Sequence, residues 1–255
     1  MRLDVYLSEK RIVKSRTYAQ EAIREGRVSV NGQIILKPSY EVSDETILLH
    51  SKEIEFVSRG GYKLYEALHD FDIDLKNQNV ADIGASTGGF SDVALQSGAN
   101  HVYAIDVGTL QLDESLRENP RLTSMENTNA LDLKIEDFEH EIHFVVMDVS
   151  FVSIKTLLPH LISLFPKARF VVLIKPQFEA GKKYIGKNGI IKDKKVHEKV
   201  LEDIYYFLLS HQCSPLHMSK SKTKGKDGNQ EYFIDFVIHS SSSTFPVSEI
   251  KKLVR

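Results

Sequence analysis

The sequence predicts an α/β protein: a mostly parallel, doubly wound sheet with a terminal antiparallel hairpin, preceded by a small α+β module. Three observations carry that expectation. From Gly60 onward, short apolar runs alternate with helical stretches, the pattern of a parallel sheet covered by helices. A glycine-rich turn follows the first of those runs. Before Gly60 both the periodicity and the charge differ: between residues 10 and 37, Lys10, Arg11, Lys14, Arg16, Arg24, Arg27 and Lys37 stand against only Glu21 and Glu25.

In the first module Leu3, Tyr6 and Leu7 share helical spacing, and Ser15 can cap a second helix with an apolar face of Ala19, Ala22 and Ile23 that Gly26 stops. Val28 and Val30 lead into Asn31-Gly32, a hairpin signal, and short strands close the unit near His50. The expected divisions are 1–59 for this module and its linker, 60–240 for the sheet domain, and 241–255 for a spacer and a C-terminal helix. Strands are expected at 80–83, 102–106, 122–125, 144–148 and 170–174, with a helix over 153–164. Residues 232–238 are rich in β-formers and pair with a strand around 216–219. Val247, Ile250, Leu253 and Val254 can line one face of a last helix.

The 255 residues are 42% hydrophobic and 27% charged, a globular composition. A net charge of −2 excludes a uniformly basic nucleic-acid binder, so any RNA surface is local. The single Cys213 offers neither an internal disulfide nor a zinc pair, which fits a reducing cytoplasm. No secretory pattern opens the chain and no apolar run nears the ~20 residues that cross a bilayer, so membrane insertion is not expected. His140-Glu141-Ile142-His143 has its histidines three apart, not four, and no metal is expected.

Candidate chemistry starts at Gly84-Ala85-Ser86-Thr87-Gly88-Gly89-Phe90, directly after the apolar run that holds Asp82. Glycines between a strand and a helix let a ligand approach the backbone, in the manner of a Rossmann-like fold. Asp106 ends the following strand, where a carboxylate can accept both ribose hydroxyls, and Asn129 stands where an adenine edge could be read, although turn chemistry explains it equally well. The loop holds no cation, which suits S-adenosylmethionine better than a dinucleotide. Asp148 and Lys175 end the next two strands and so face the same crevice, with Lys63 and Glu231 on either side of it in sequence. Ser150 and Ser153 read as caps of the helix that follows. The lysine-rich runs 182–199 and 220–226 fit phosphate contacts or solvated loops alike.

Together these residues resemble the TlyA family, whose catalytic half is similar to the FtsJ-like ribose 2′-O-methyltransferases. The resemblance spans nearly the whole chain: Arg2-Leu3-Asp4, Ser15-Arg16 and Gly26-Arg27-Val28 resemble the S-four RNA-binding domain, while SRGGYKL, GASTGGF, MDVSF and LIKPQFE follow the family's order. Relatives often carry an arginine shortly after the Thr-Asn pair, where this chain has Ala130-Leu131-Asp132. The resemblance implies methyl transfer from S-adenosylmethionine to a ribose 2′-hydroxyl of ribosomal RNA or a ribosomal subunit, at a cytidine. Lys63, Asp148, Lys175 and Glu231 are then the catalytic set, with Lys175 a lysine of lowered pKa acting as base. Asp82, Gly84, Ser86, Gly88, Gly89, Phe90, Asp106 and Asn129 are expected at the cofactor, and Lys14, Arg16, Arg24 and Arg27 on RNA. The alternatives are a non-catalytic ribosome-assembly factor, which would transfer no labelled methyl group, a membrane-lytic haemolysin, which would leak liposomes, and an NAD-dependent oxidoreductase, which would bind NAD.

Overall fold

A computed structural model describes residues 1–43, 45–49, 55–186, 189–225, 227–239 and 244–255. The described chain divides into two compact units, Met1–Glu55 and Phe56–Arg255.

The first unit begins with helix α1 (Leu3–Glu9) and helix α2 (Arg16–Arg24), the second capped by Ser15 Oγ, which accepts the Tyr18 N–H. Strands β1 (Val28–Val30), β2 (Gln33–Ile34) and β3 (Ile47–Leu49) form an antiparallel sheet in the order β2-β1-β3. Asn31 and Gly32 both adopt positive φ (48° and 81°), the conformation a two-residue hairpin needs. Leu3, Leu7, Ala19, Ala22, Ile23, Val28 and Val30 close a small core between helices and sheet. Beside it lies Asp4, fully buried, which accepts hydrogen bonds from Arg2, Arg16 and Gln20. The Arg2 bond above all holds its carboxyl well below the usual range.

The second unit runs α3 (Arg59–Asp70), β4 (Asn79–Ile83), α4 (Gly89–Gln96), β5 (His101–Ile105), α5 (Glu114–Arg117), β6 (Leu122–Met125), β7 (Phe144–Met147), α6 (Ile154–Leu164), β8 (Arg169–Ile174), α7 (Pro176–Glu179), α8 (Lys194–Ser210), β9 (Cys213–Lys220), β10 (Tyr232–Ile238) and α9 (Ile250–Val254). Its seven strands lie in the order β6-β5-β4-β7-β8-β10-β9. The first five are parallel, and β10 runs antiparallel to both β8 and β9. Both faces of the sheet are covered, so the central strands read as unbroken apolar runs. Ala81, Val145, Met147, Val172 and Ile174 face a core shared with α6, α8 and α9. Val80, Val146, Val171 and Leu173 face the other, shared with α3, α4 and α5. The order reverses at β4 and β7, which places a crevice beyond their carboxyl ends.

The units divide a little earlier than the 59/60 position read from the sequence, because Phe56 already packs in the second core. Ile250 and Val254 pack in the second unit as well, so α9 belongs to it. The expected spacer residues 240–243, the linker residues 50–54 and Lys226 lie outside the described residues. Cys213 is buried, and burial pushes its thiol up to about 11.

Candidate active site

The turn from β4 to α4 is built by close backbone approach. Gly84 adopts φ +85°, and a Cβ there would lie 2.7 Å from the Asp148 carbonyl oxygen at the end of β7. A Cβ on Gly89 would lie 2.8 Å from the backbone nitrogen of Gly61, so α3 and α4 meet glycine to glycine. That contact carries Lys63 of α3 over the loop.

Beside the loop opens a cavity of about 580 Å³ lined by Gly84, Ser86, Asp106, Asn129, Asp148 and Phe151 among others. Among the described residues, no lysine, arginine or histidine lines it. Asp106 is fixed by two backbone donors, Ser86 N–H at 2.8 Å and Gly108 N–H at 2.7 Å. Asn129 accepts the Leu131 N–H through its side chain, so it performs turn chemistry and also lines the cavity.

A smaller groove of about 200 Å³ shares Gly84, Ser86, Asp148 and Ser150 with that cavity and adds Lys63, Gly89, Phe90 and Lys175. Both of its lysines are held in ion pairs, Lys175 by Asp148 in the lining and Lys63 by Glu231, which is buried outside it. Lys63 Nζ lies 2.6 Å from Glu231, and Lys175 Nζ 2.5 Å from Asp148. Lys175 also donates to Ser150 Oγ at 2.8 Å. The topology explains how such distant residues meet: Asp148 and Lys175 directly follow the parallel strands β7 and β8, and Glu231 precedes Tyr232, the antiparallel partner of Ile174.

Several expected site residues stand elsewhere. Asp82 is fully buried beneath the loop, with Ser91 Oγ–H donating to it at 2.7 Å, and lines neither opening. Gly88 also lies outside both linings; its missing Cβ makes room for Leu112 and Leu116. In the first unit Lys14 and Arg24 are exposed. Arg16 instead bonds Asp4, and Arg27 pairs with Glu25 and covers the Tyr18 ring, leaving its side chain 11% exposed.

Sequence reasoning missed two neighbours. Ser150 reads as a helix cap in the sequence, but Ser153 alone of the two caps α6, and Ser150 turns to Lys175. Phe151 is 91% exposed, adopts φ +67° and lines the cavity beside Ser150. An aromatic directly after Asp-Val-Ser at a strand end was the available signal.

The FtsJ-like methyltransferase family model matches residues 56–237, and the S4 domain model matches residues 1–48. The 16S/23S rRNA (cytidine-2′-O)-methyltransferase TlyA of Mycobacterium tuberculosis is 38% identical over 243 residues, covering 91% of this chain and 88% of that protein. The chain belongs to the TlyA family. Hemolysin A of Brachyspira hyodysenteriae is another relative, 40% identical over 240 residues, 93% of this TlyA-family chain and all of that protein. A Streptococcus thermophilus structure described as a hemolysin superposes with a TM-score of 0.77 at 37% identity, over 100% of this chain and 94% of its own. Among the described residues of this TlyA-family member, no helix is long and apolar enough to cross a membrane.

Proposed function

We propose that this chain transfers a methyl group from S-adenosylmethionine to a ribose 2′-hydroxyl of ribosomal RNA, at a cytidine, on RNA or ribosomal subunits in the cytoplasm. One observation carries the reading: two lysines, each paired with a carboxylate, line a groove that shares a wall with a carboxylate-bearing cavity free of cations among the described residues. Asp106 and Asp148 favour a positively charged ligand over a pyrophosphate, and the volume suits a nucleoside-sized molecule. S-adenosylmethionine, when bound, supplies an electrophilic methyl on a sulfonium. Asp106 would accept its ribose hydroxyls, Gly84 and Ser86 would give it backbone approach, and Asn129 would be the candidate partner of its adenine.

The rest is done by the groove. A 2′-hydroxyl is a weak acid and must lose its proton as its oxygen attacks. Lys175 in its amine form takes the hydroxyl's proton, Asp148 holds the ammonium so formed, and Ser150 fixes the direction of its nitrogen. Lys63, held by Glu231, bonds the ribose and sets the angle of attack, where alignment supplies most of the acceleration. Phe151 offers an exposed ring on which a splayed base can stack.

Mapping 2′-O-methylation in ribosomal RNA from cells with and without the gene tests the proposal. A cytidine mark that disappears names the target. Unchanged RNA, together with no labelled methyl transfer to ribosomal subunits in vitro, would leave the assembly-factor reading in its place.

A further inference from the structure

The two loops that carry the catalytic groups are tied together at three places. Lys175 holds Asp148 and Ser150. The rings of Phe151 and Phe178 meet with centroids 5.2 Å apart. Farther out, Glu179 at the end of α7 reaches the start of α6, where Ser153 Oγ–H donates to one oxygen at 2.6 Å and the Ile154 N–H to the other at 2.9 Å. Burial pushes the Glu179 carboxyl up, against the pull of those two donors and of Lys155. The Ile154 N–H is one of the first backbone donors of α6, which have no partner within the helix, so Glu179 supplies the acceptor that the helix end lacks.

Between Asp148 and Ser153 the chain makes the turn that exposes Phe151 at positive φ, a conformation that a bulky side chain keeps only when the surroundings impose it. One end of that turn is set by β7. We infer that Glu179 sets the other: it is a positioning residue for the transfer proposed above, clasping the turn after β8 to the first residues of α6 and so fixing Ser150 and Phe151 against Lys175. Glu179 lines neither the cavity nor the groove, so its effect passes through the loops and not through the ligands.

The test compares Glu179→Ala with Glu179→Gln in the full chain. The glutamine keeps an acceptor for the Ile154 N–H and offers its amide to Ser153; the alanine keeps neither. With alanine, kcat on ribosomal subunits should fall roughly 10- to 100-fold, the scale of a displacement of about 1 Å at reacting groups. Calorimetric affinity for S-adenosylmethionine should stay unchanged, and glutamine should restore most of the turnover. A second readout needs no activity. The chain contains no tryptophan, so Phe178→Trp places a single, selectively excited tryptophan at a half-buried position beside the Phe151 ring. In that background Glu179→Ala should move the emission to longer wavelength and lower its anisotropy, and Glu179→Gln should not.

Turnover of the alanine variant within a few-fold of the natural chain, or emission that does not move, overturns the assignment. So does a loss of cofactor affinity or of the cooperative melt, which would make Glu179 a support of the whole unit. If the natural chain itself methylates no ribosomal RNA, the functional reading falls and the emission alone decides the clasp.

Discussion

Asp82 shows what a single residue under the loop contributes. Ser91 satisfies one of its oxygens, and the other has no hydrogen-bond partner among the described residues. Burial above all, with the charges of Asp148 and Asp106, pushes its carboxyl up to about 7, against the Ser91 bond. The folded protein therefore keeps a proton that the unfolded chain releases near pH 4, and stability falls as pH climbs from there to about 7, levelling off above. Asp82→Asn keeps the bond to Ser91 without the charge. Its unfolding free energy relative to that of the natural chain should gain across that window, by at most about 1.4 kcal/mol per pH unit, and then plateau. A gap independent of pH would mean that Asp82 is ionised throughout. At the reacting centre, Lys175→Met keeps the length and removes the nitrogen; methyl transfer should drop by roughly 10²- to 10⁴-fold while calorimetry finds the same affinity for S-adenosylmethionine. Asp106→Ala does the opposite. It removes the proposed ribose acceptor and frees the Ser86 and Gly108 N–H groups, so cofactor binding should weaken by about 1.5–3 kcal/mol, and unchanged affinity would remove Asp106 from the site.

Among the elements, the strand ends do the assembling. A methyl group at Gly84 would press on the Asp148 backbone, which cannot turn aside as a side chain can, and φ +85° adds strain of its own. Gly84→Ala should therefore part the loop from β7, costing roughly 1–3 kcal/mol of stability and weakening S-adenosylmethionine binding, with an unchanged far-ultraviolet dichroism spectrum. Affinity equal to the natural chain's would show that this close approach is not needed for the ligand. The same strand ends explain what could be read beforehand. Strands buried on both faces announce themselves as runs such as Phe170 to Ile174, and β10 as a stretch of β-formers, so the sheet and its hairpin were legible. Asp148 and Lys175 were legible too, as charges placed straight after such runs. Pairing was not: Lys63 and Glu231 are 168 residues apart, and only the reversal of β10 beside β8 brings them together. Asp82 sits just before the loop motif and Gly88 within it, yet a motif does not say which way each residue faces. Arg16 looked like a surface cation because its partner, Asp4 on α1, becomes a neighbour only when the helices form and pack, and Arg27 because the Tyr18 ring it covers lies on α2, nine residues earlier.

At the scale of the whole molecule, two units with separate cores imply a division of labour between grip and chemistry. Each unit closes its own hydrophobic cluster, so removing residues 1–55 should leave a folded protein that still binds S-adenosylmethionine. Its affinity for ribosomal RNA should fall sharply. Binding through phosphates releases counterions, and the slope of log affinity against log salt shrinks by roughly 0.7 to 0.9 for each phosphate that is no longer neutralised. Four cations are candidates for that role, but they are not equivalent. Lys14 and Arg24 are exposed. Arg16 is half exposed while bonded to Asp4, and Arg27 is turned inward against Glu25 and Tyr18. The expected change is therefore that of roughly two to three phosphates, a slope smaller by about 1.5 to 2.5, and not the larger change that all four cations would give. Titrations of both proteins against ribosomal subunits over a range of salt give the two slopes directly. A truncated protein that methylates ribosomal RNA as fast as the full chain at physiological salt would place targeting in the second unit, where the lysines after β8 and β9 would be the cations to replace next.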